Sequence, residues 1–385
     1  MHFFRALSDN VKNILLIFFS LLLTIFLTEL FLRLFTVQNL SGSWRVENSF
    51  GIIMNKSYGQ ANHIHKNRKV TYKFFDFGLR GANPEKNKKK ILLLGDSFTF
   101  GWLLNNEDTY HYLLQQKLNN HFDYKYQIIN AAAGGWGTAD YLKYVEVHLE
   151  KLEFDYILVV INTDDIRRSY NSGLYKLSDN GKLISNDKKI KISKKKRFVN
   201  AIPIYNYLIE NSYLLYVIRK SYVILFHQEF NSNFLEDKKS VKESIEFKEK
   251  SKKDSLVQAH EINEKLKIQS IALGNKLFEK LIKLANNNNK KLLVTTTGCH
   301  KNDRTALIKK NISLRSNFQT KEFMKQAPDF FSSYNIPYYD YSDKISHIIN
   351  ADPEKYFISG DSHPNENGAK LIAENIWPWL KNVLK

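Results

Sequence analysis

Hydrophobic residues in this chain gather in short runs that are separated by stretches with helical spacing. Five runs have the length of a strand: Lys90–Leu94, Tyr126–Asn130, Asp155–Ile161, Lys291–Thr297 and Ile336–Tyr341. Between the first two, the segment Thr109–Leu118 carries apolar residues at the spacing of a helix. Strands that alternate with helices are typical of a mostly parallel sheet covered by helices on both faces. The pattern therefore predicts an α/β fold with a five-stranded sheet.

The most apolar segment lies near the start of the chain, from Ile14 to Phe35. Only Glu29 and Arg33 interrupt it, close to its far end, and its length suits one membrane-spanning helix. A buried core helix is the alternative, whereas a cleaved signal peptide would need a small-residue cleavage site that does not follow the run. Basic residues flank both ends in similar numbers, so the charge bias that sets orientation is nearly tied. We predict an anchor at residues 1–36 and a single domain at 37–385.

The alternation of strands and helices breaks between residues 166 and 289. This segment is too long for an ordinary connection, and we interpret it as an inserted helical cap. It contains an aromatic-rich stretch, Ile202–Phe230, in which Glu210, Arg219 and Lys220 argue against a second membrane-spanning helix. An amphipathic helix packed on the core is one interpretation of that stretch, and a lid or membrane-facing surface is the other.

The formal net charge of +18 would attract nucleic acid, anionic lipid or an acidic glycan. Its densest run, Lys188–Arg197, contains no nucleic-acid-binding motif, so we interpret it as a solvated loop and expect no nucleic-acid partner. Contact with a membrane surface or a polyanion is the alternative for this run. The single cysteine, Cys299, excludes an internal disulfide and a cysteine-based zinc site. Histidines such as His111 stand alone in the sequence, and we predict neither a metal nor another cofactor.

Three predicted strands end in polar or small residues. The first ends in Gly95-Asp96-Ser97, the second in Asn130 and a small-residue turn that reaches Gly135, and the third in Asn162-Thr163-Asp164-Asp165. The carboxyl ends of parallel strands lie at one edge of a sheet, where ligands bind. We therefore expect these three groups to converge there, with Ser97 as a candidate nucleophile.

A second chemical signal lies near the end of the chain, where Asp361 and His363 precede a helix-like segment. A single histidine in a turn usually faces solvent. A serine nucleophile, however, needs an imidazole to accept its proton and a carboxylate to hold the imidazole in the correct tautomer. Ser97, His363 and Asp361 are of these three types, and the backbone N–H groups of Ser97 and Gly135 are candidate donors to a developing oxyanion.

Together these motifs resemble the SGNH hydrolase superfamily, whose members are also called GDSL esterases and lipases. Gly95–Gly101 resembles the first block of the family, Asn130–Gly135 the second, and Asp361 with His363 the last. The resemblance extends over residues 90–379. It implies a flavodoxin-like three-layer sandwich and a serine esterase that needs no cofactor.

The chain departs from the family pattern in two places. Asp164 stands where the third block usually has the asparagine of the oxyanion hole, and an ionised carboxylate cannot donate a hydrogen bond there. Two hypotheses follow: a protonated Asp164 donates, or Asn162 takes that role. The acid also lies two residues before His363 where three are usual, which leaves Asp352 and Glu366 as alternative acids.

A membrane anchor and an inserted cap resemble the cell-envelope members of the superfamily. This resemblance implies a membrane-anchored, periplasmic or otherwise extracytoplasmic serine esterase that removes or transfers O-acyl groups, with O-acetyl on an envelope glycan as the expected substrate. Trp136 and Asp96 are the predicted substrate-binding residues, and packing over the small-residue turn is the alternative for Trp136. Because of Asp164, a catalytically degenerate protein that binds glycan or assists assembly is the second interpretation.

Overall fold

The computed structural model describes residues 9–36, 44–65, 68–186, 202, 205, 207–208, 211–226, 254–297, 321–359, 361 and 363–385. These residues form two compact units, a smaller one that contains the N-terminal helix and a larger one that contains the main sheet. The predictions for Cys299 and for the basic run Lys188–Arg197 fall outside the described residues.

The described residues form eleven strands and eleven α-helices. The strands are β1 (Arg45–Glu47), β2 (Ile53–Asn55), β3 (Gly59–His65), β4 (Arg68–Phe74), β5 (Lys89–Leu94), β6 (Tyr126–Asn130), β7 (Tyr156–Ile161), β8 (Tyr175–Leu177), β9 (Leu183–Ser185), β10 (Lys291–Thr296) and β11 (Tyr338–Tyr339). The helices are α1 (Asp9–Phe35), α2 (Ser97–Phe100), α3 (Tyr110–Phe122), α4 (Thr138–His148), α5 (Asp165–Ser172), α6 (Tyr213–Phe226), α7 (Asp254–Asn287), α8 (Lys321–Ser333), α9 (Ser342–Ala351), α10 (Pro353–Tyr356) and α11 (Glu366–Val383).

The main sheet has five strands in the order β11-β10-β7-β5-β6, and every neighbouring pair is parallel. In chain order this is the 2-1-3-4-5 arrangement of flavodoxin-like folds, read from β6 towards β11. The predicted α/β fold with a five-stranded parallel sheet is confirmed. Each of the five predicted strands is present.

Both faces of the sheet are covered, which explains why β5 is apolar along its length. Ile91 and Leu93 pack on one face in a cluster with residues of α3 and α11. Leu92 and Leu94 point to the other face and pack in a cluster with residues of α4, α7 and α8. Alternate residues of a strand face opposite sides of a sheet, so a strand buried on both sides needs a continuous apolar run.

The carboxyl-terminal part of α7 belongs to the sandwich. Leu273, Leu277, Phe278 and Leu281 are buried in the core against the sheet, and the helix leads into β10. These residues lie inside the range predicted as an insertion, because the strand and helix pattern alone does not separate an insertion from the crossover helix that follows it. Between α5 and the start of α7, the residues that the structure describes include β8 and β9, which pair with each other and not with the main sheet.

The smaller unit contains α1 and α6, which contact each other. Among the described residues, α1 is the one helix that is long and apolar enough to cross a membrane. Its Glu29 accepts hydrogen bonds from the backbone N–H groups of Tyr213 and Leu214, at 3.0 and 2.9 Å, and thereby caps the start of α6. Arg33 forms an ion pair with Glu29 at 2.8 Å. Both charges that interrupt the apolar run are thus paired in the fold.

Candidate active site

The turn between β5 and α2 presents Ser97 at the carboxyl end of the sheet. Asp96 caps α2 by accepting a hydrogen bond from the backbone N–H of Phe98 at 2.9 Å. A side chain at Gly95 would lie 2.1 Å from the hydroxyl oxygen of Thr99, so this close turn requires glycine. The turn leaves Ser97 8% exposed, at the first position of the helix.

The structure brings Ser97, His363 and Asp361 into one hydrogen-bonded chain. The Oγ of Ser97 lies 2.7 Å from Nε2 of His363. The other ring nitrogen, Nδ1, is hydrogen-bonded to Oδ1 of Asp361, which also accepts from the backbone N–H of His363 at 2.8 Å. The two-residue spacing therefore suffices for contact between acid and imidazole. Of the alternative acids, Asp352 instead caps α10.

Two aromatic rings hold the imidazole of His363 in place. Trp102 stacks on it with ring centres 5.5 Å apart and planes 28° apart, and the ring of Phe98 lies 5.1 Å away. Both residues follow Ser97 closely in sequence, so the segment that carries the hydroxyl also restricts the imidazole. The arrangement has the geometry that proton transfer from a serine to a histidine requires.

The loop after β6 lies beside the turn that carries Ser97. The backbone N–H of Ala133 donates to the carbonyl oxygen of Gly95 at 3.3 Å. A Cβ on Gly134 would lie 3.9 Å from Cβ of Ser97, and the neighbouring Gly135 is exposed with a φ of +81°. Within the described part of the chain, the backbone N–H groups of Ser97 and Gly135 donate no hydrogen bond. Both are therefore available to a ligand oxygen, as oxyanion donors must be.

Asn130 joins the two loops, and its partner is a histidine that the sequence analysis set aside. Its Oδ1 accepts from the backbone N–H of Ala132 and its Nδ2 donates to the carbonyl oxygen of Thr99, each at 3.0 Å. Nδ2 also lies 3.0 Å from Nδ1 of His111. Burial lowers the pKa of His111 to about 3, so the neutral imidazole can accept this bond. A single sequence gives no sign of this pairing, because the two residues are far from any shared motif.

Arg80 is a second supporting residue that sequence reasoning missed. Its side chain is 2% exposed and donates hydrogen bonds to the carbonyl oxygens of Phe100, Gly101 and Leu104, the last two at 2.7 and 2.6 Å. Its guanidinium also lies 4.6 Å from the ring centre of Tyr72. Burial lowers the pKa of Arg80 to about 10, which keeps it charged at neutral pH. Arg80 therefore fixes the segment that follows Ser97.

The end of β7 carries the residues that the sequence placed at the third strand end. The carboxylate of Asp164 lies 3.6 Å from Arg167 and 3.8 Å from Arg168, and its side chain is 25% exposed. The carboxylate is thus paired with two guanidinium groups, and an ionised carboxylate accepts but does not donate hydrogen bonds. The amide of Asn162 is buried and donates to Oδ2 of Asp96 at 3.0 Å.

Asp165 holds the same end of β7 in place through its buried carboxylate. It accepts from the backbone N–H of Asn162 at 2.7 Å and from the hydroxyl of Tyr141 at 2.8 Å. Burial and the nearby charge of Asp96 raise the pKa of Asp165 well above its usual range. Arg168 bridges both acids, at 2.8 Å from Asp96 and 3.4 Å from Asp165, and these acids raise its own pKa.

Neither predicted substrate-binding residue has a side chain that is free for a substrate. Trp136 is 2% exposed, its ring packs against Tyr144, and its indole N–H donates to the carbonyl oxygen of Ile53 at 2.5 Å. Asp96 is fully buried and accepts from the backbone, from Asn162 and from Arg168. The structure thus corrects both assignments: Trp136 is a core residue, and Asp96 positions the turn that carries Ser97.

A scan of protein-family models found no match to the chain, and a search of curated proteins found none either. Solved structures do match. One is the psychrotrophic esterase EstA from Pseudoalteromonas sp., with 12% identity, a TM-score of 0.38 and coverage of 77% of this chain and 99% of that one. Another is the acetyl xylan esterase AlAXEase, with 13% identity, a TM-score of 0.39 and coverage of 75% and 98%.

A third similar structure is a member of the lipolytic protein G-D-S-L family from Veillonella parvula. It is 12% identical, with a TM-score of 0.39 and coverage of 75% of this chain and 97% of that one. At these identities and TM-scores the likeness assigns no activity to the chain, so its chemistry depends on its own site residues. Of these three solved structures, two are named as esterases and one as a member of the G-D-S-L family.

Proposed function

We propose that this chain is an SGNH-type serine esterase, anchored in a membrane by α1, that cleaves or transfers an O-acyl group. The observation that carries the proposal is the continuous hydrogen-bonded chain from Ser97 through His363 to Asp361. An unassisted hydroxyl is a poor nucleophile, and this arrangement supplies both a base and a group that orients the base.

In the proposed reaction, His363 takes the proton from Ser97 as Oγ attacks the carbonyl carbon of an ester. The carbonyl π electrons move to oxygen, and the backbone N–H groups of Ser97 and Gly135 stabilise the resulting oxyanion. When the intermediate collapses, the bond to the ester oxygen breaks and His363 gives its proton to the departing alcohol. Water or another hydroxyl then attacks the acyl-serine with His363 again as base, which releases the acyl group and restores Ser97.

The finer assignment is an extracytoplasmic enzyme that acts on O-acetyl groups of a cell-envelope glycan. It is supported by one apolar helix, α1, at the start of the chain and by the resemblance of its motifs to envelope members of the superfamily. Residues 37–385 would then form the esterase domain. The inserted cap would lie within residues 166–289, apart from the carboxyl-terminal part of α7 that packs in the core.

A serine-reactive fluorophosphonate probe tests the proposed nucleophile. The full-length chain in detergent should be labelled, and the Ser97→Ala variant should not. Ser172, an exposed serine at the end of α5, offers a matched control, since Ser172→Ala should be labelled like the wild type. Absence of labelling in folded wild-type protein would favour the glycan-binding or assembly interpretation.

Substitution of Asp164 tests the departure from the family pattern. We expect Asp164→Asn to raise kcat/KM for a neutral ester about tenfold or more, because the family resemblance puts an asparagine that donates to the oxyanion at this position. The measurement is hydrolysis of 4-nitrophenyl acetate. Asp164→Ala is the control, since it removes the charge without adding a donor and should give a smaller gain. Loss of activity in Asp164→Asn would contradict this expectation and favour a protonated Asp164 as the native donor.

A further inference from the structure

Strand β1 places Arg45 at the rim of the candidate site. Arg45 pairs with Asn55 of β2, and the amide of Asn55 donates to the carbonyl oxygen of Ala132 at 3.0 Å. Ala132 lies in the loop that ends in Gly135, one of the two candidate oxyanion donors. The backbone that carries Arg45 is therefore fixed to the loop that supplies this donor.

The residue before Arg45 strengthens this attachment. Trp44 is 2% exposed and packs against Trp102, with ring centres 5.8 Å apart. Trp102 in turn stacks on the imidazole of His363. The amino end of β1 is thus anchored in the same aromatic cluster that holds the catalytic base of the proposed reaction.

The guanidinium of Arg45 lies beside the open face of Gly135. A Cβ on Gly135 would lie 3.5 Å from Nη2 of Arg45. Arg45 is exposed, and within the described ranges its guanidinium forms no hydrogen bond and no ion pair within 4.0 Å. A cation with unused donors, carried on a backbone that β2 holds in place, therefore stands next to an unused backbone N–H.

Asp140 is the acid whose charge acts on Arg45, but its carboxylate is hydrogen-bonded to the backbone and not to Arg45. Its side chain is 8% exposed and accepts from the backbone N–H of Gly137 at 2.9 Å. Burial raises the pKa of Asp140 to about 6, against the opposing influence of Gly137, Arg168 and Arg45. Asp140 therefore leaves the donors of Arg45 open to solvent and to a bound molecule.

We infer that Arg45 is a specificity residue that binds an anionic group, a carboxylate or a phosphate, on the ester substrate beside the scissile carbonyl. The planar guanidinium matches the geometry of both groups and can donate two parallel hydrogen bonds. This inference rests on the proposed esterase function and narrows it to acylated substrates that carry negative charge.

The test compares three chromogenic esters with the full-length chain in detergent. The esters are 4-nitrophenyl acetate, which is neutral, mono-4-nitrophenyl succinate, with a carboxylate on the acyl side, and 3-carboxy-4-nitrophenyl acetate, with one on the alcohol side. Arg45→Gln removes the charge, and Arg45→Lys keeps the charge but cannot donate two parallel hydrogen bonds. Lys151→Gln is the control, because it removes an exposed charge at the opposite edge of the sheet, just before β7.

We expect Arg45→Gln to raise KM for at least one anionic ester about tenfold and to leave kcat and KM for the neutral ester unchanged. Arg45→Lys should restore part of the loss, Lys151→Gln should behave like the wild type, and added salt should weaken the preference for the anionic ester. Competition by inorganic phosphate against acetate distinguishes a phosphate subsite from a carboxylate subsite.

Two outcomes would overturn the inference while leaving the esterase intact. One is an equal effect of Arg45→Gln on neutral and anionic esters, which would place Arg45 at the oxyanion. The other is no effect on any ester. If the wild type instead shows no Ser97-dependent hydrolysis of any of the three esters, the proposed function itself fails.

Discussion

Replacement of Ser97 by alanine is expected to lower kcat for ester hydrolysis by about four to six orders of magnitude. The hydroxyl oxygen is the atom that would form the acyl-enzyme, and no other described hydroxyl is hydrogen-bonded to His363. The measurement is steady-state hydrolysis of 4-nitrophenyl acetate by the full-length chain. The rate at which free imidazole cleaves this ester is subtracted as background. Ser97 lies at the first position of α2, where alanine fits, so the unfolding transition should stay close to that of the wild type.

Variants of His363 and Asp361 test whether these residues act together with Ser97. His363→Gln should cost about as much as Ser97→Ala, and the double variant should cost little more than either one, because residues of such a triad act as a unit. Asp361→Asn should also be strongly impaired, since an amide favours the wrong imidazole tautomer. Retention of wild-type kcat in Ser97→Ala would exclude Ser97 as the nucleophile. Additive losses in the double variant would show that the two residues act in separate steps.

The sequence predicts the reacting residues of this site, Ser97, His363 and Asp361, better than the buried residues that hold them in place. The run of leucines before Gly95 ends where a strand must end, and the alternation of strands with helices predicts the parallel sheet. The flavodoxin-like arrangement of that sheet is what the family resemblance implies. Ser97 and His363 are 266 positions apart, and only the chemical need for a base links them. The family resemblance supplied the remaining link.

The residues that support the site could not be predicted from the sequence, because they are polar residues that are buried, whereas such residues usually lie at the surface. Arg80 and His111 are types that normally face water, and nothing in their local sequence indicates that they are buried. Trp136 shows the opposite problem, since an aromatic residue beside a glycine-rich turn suits a sugar platform as well as a core position. Only its contact with Tyr144 and its bond to Ile53 decide between the two.

Arg80 gives the largest expected effect on stability. We expect Arg80→Met to lower the free energy of unfolding by about 3 kcal/mol, because three buried carbonyl oxygens lose their donors while an apolar chain fills part of the space. The cost is not larger, since the desolvation of a buried cation is removed at the same time. Chemical denaturation of the full-length chain in detergent, followed by tryptophan fluorescence, measures the change.

The Arg80 variants also separate stability from site geometry. Arg80→Lys keeps the charge but cannot reach three carbonyl oxygens at once, so it should lie between the wild type and Arg80→Met. Lys151→Met, at an exposed position, should change stability by less than about 0.5 kcal/mol. Because Arg80 binds the carbonyl oxygens of Phe100 and Gly101, directly after the helix that begins at Ser97, activity should fall even at temperatures where Arg80→Met is folded. Full activity in a folded Arg80→Met protein would show that the segment after Ser97 holds its position without the guanidinium.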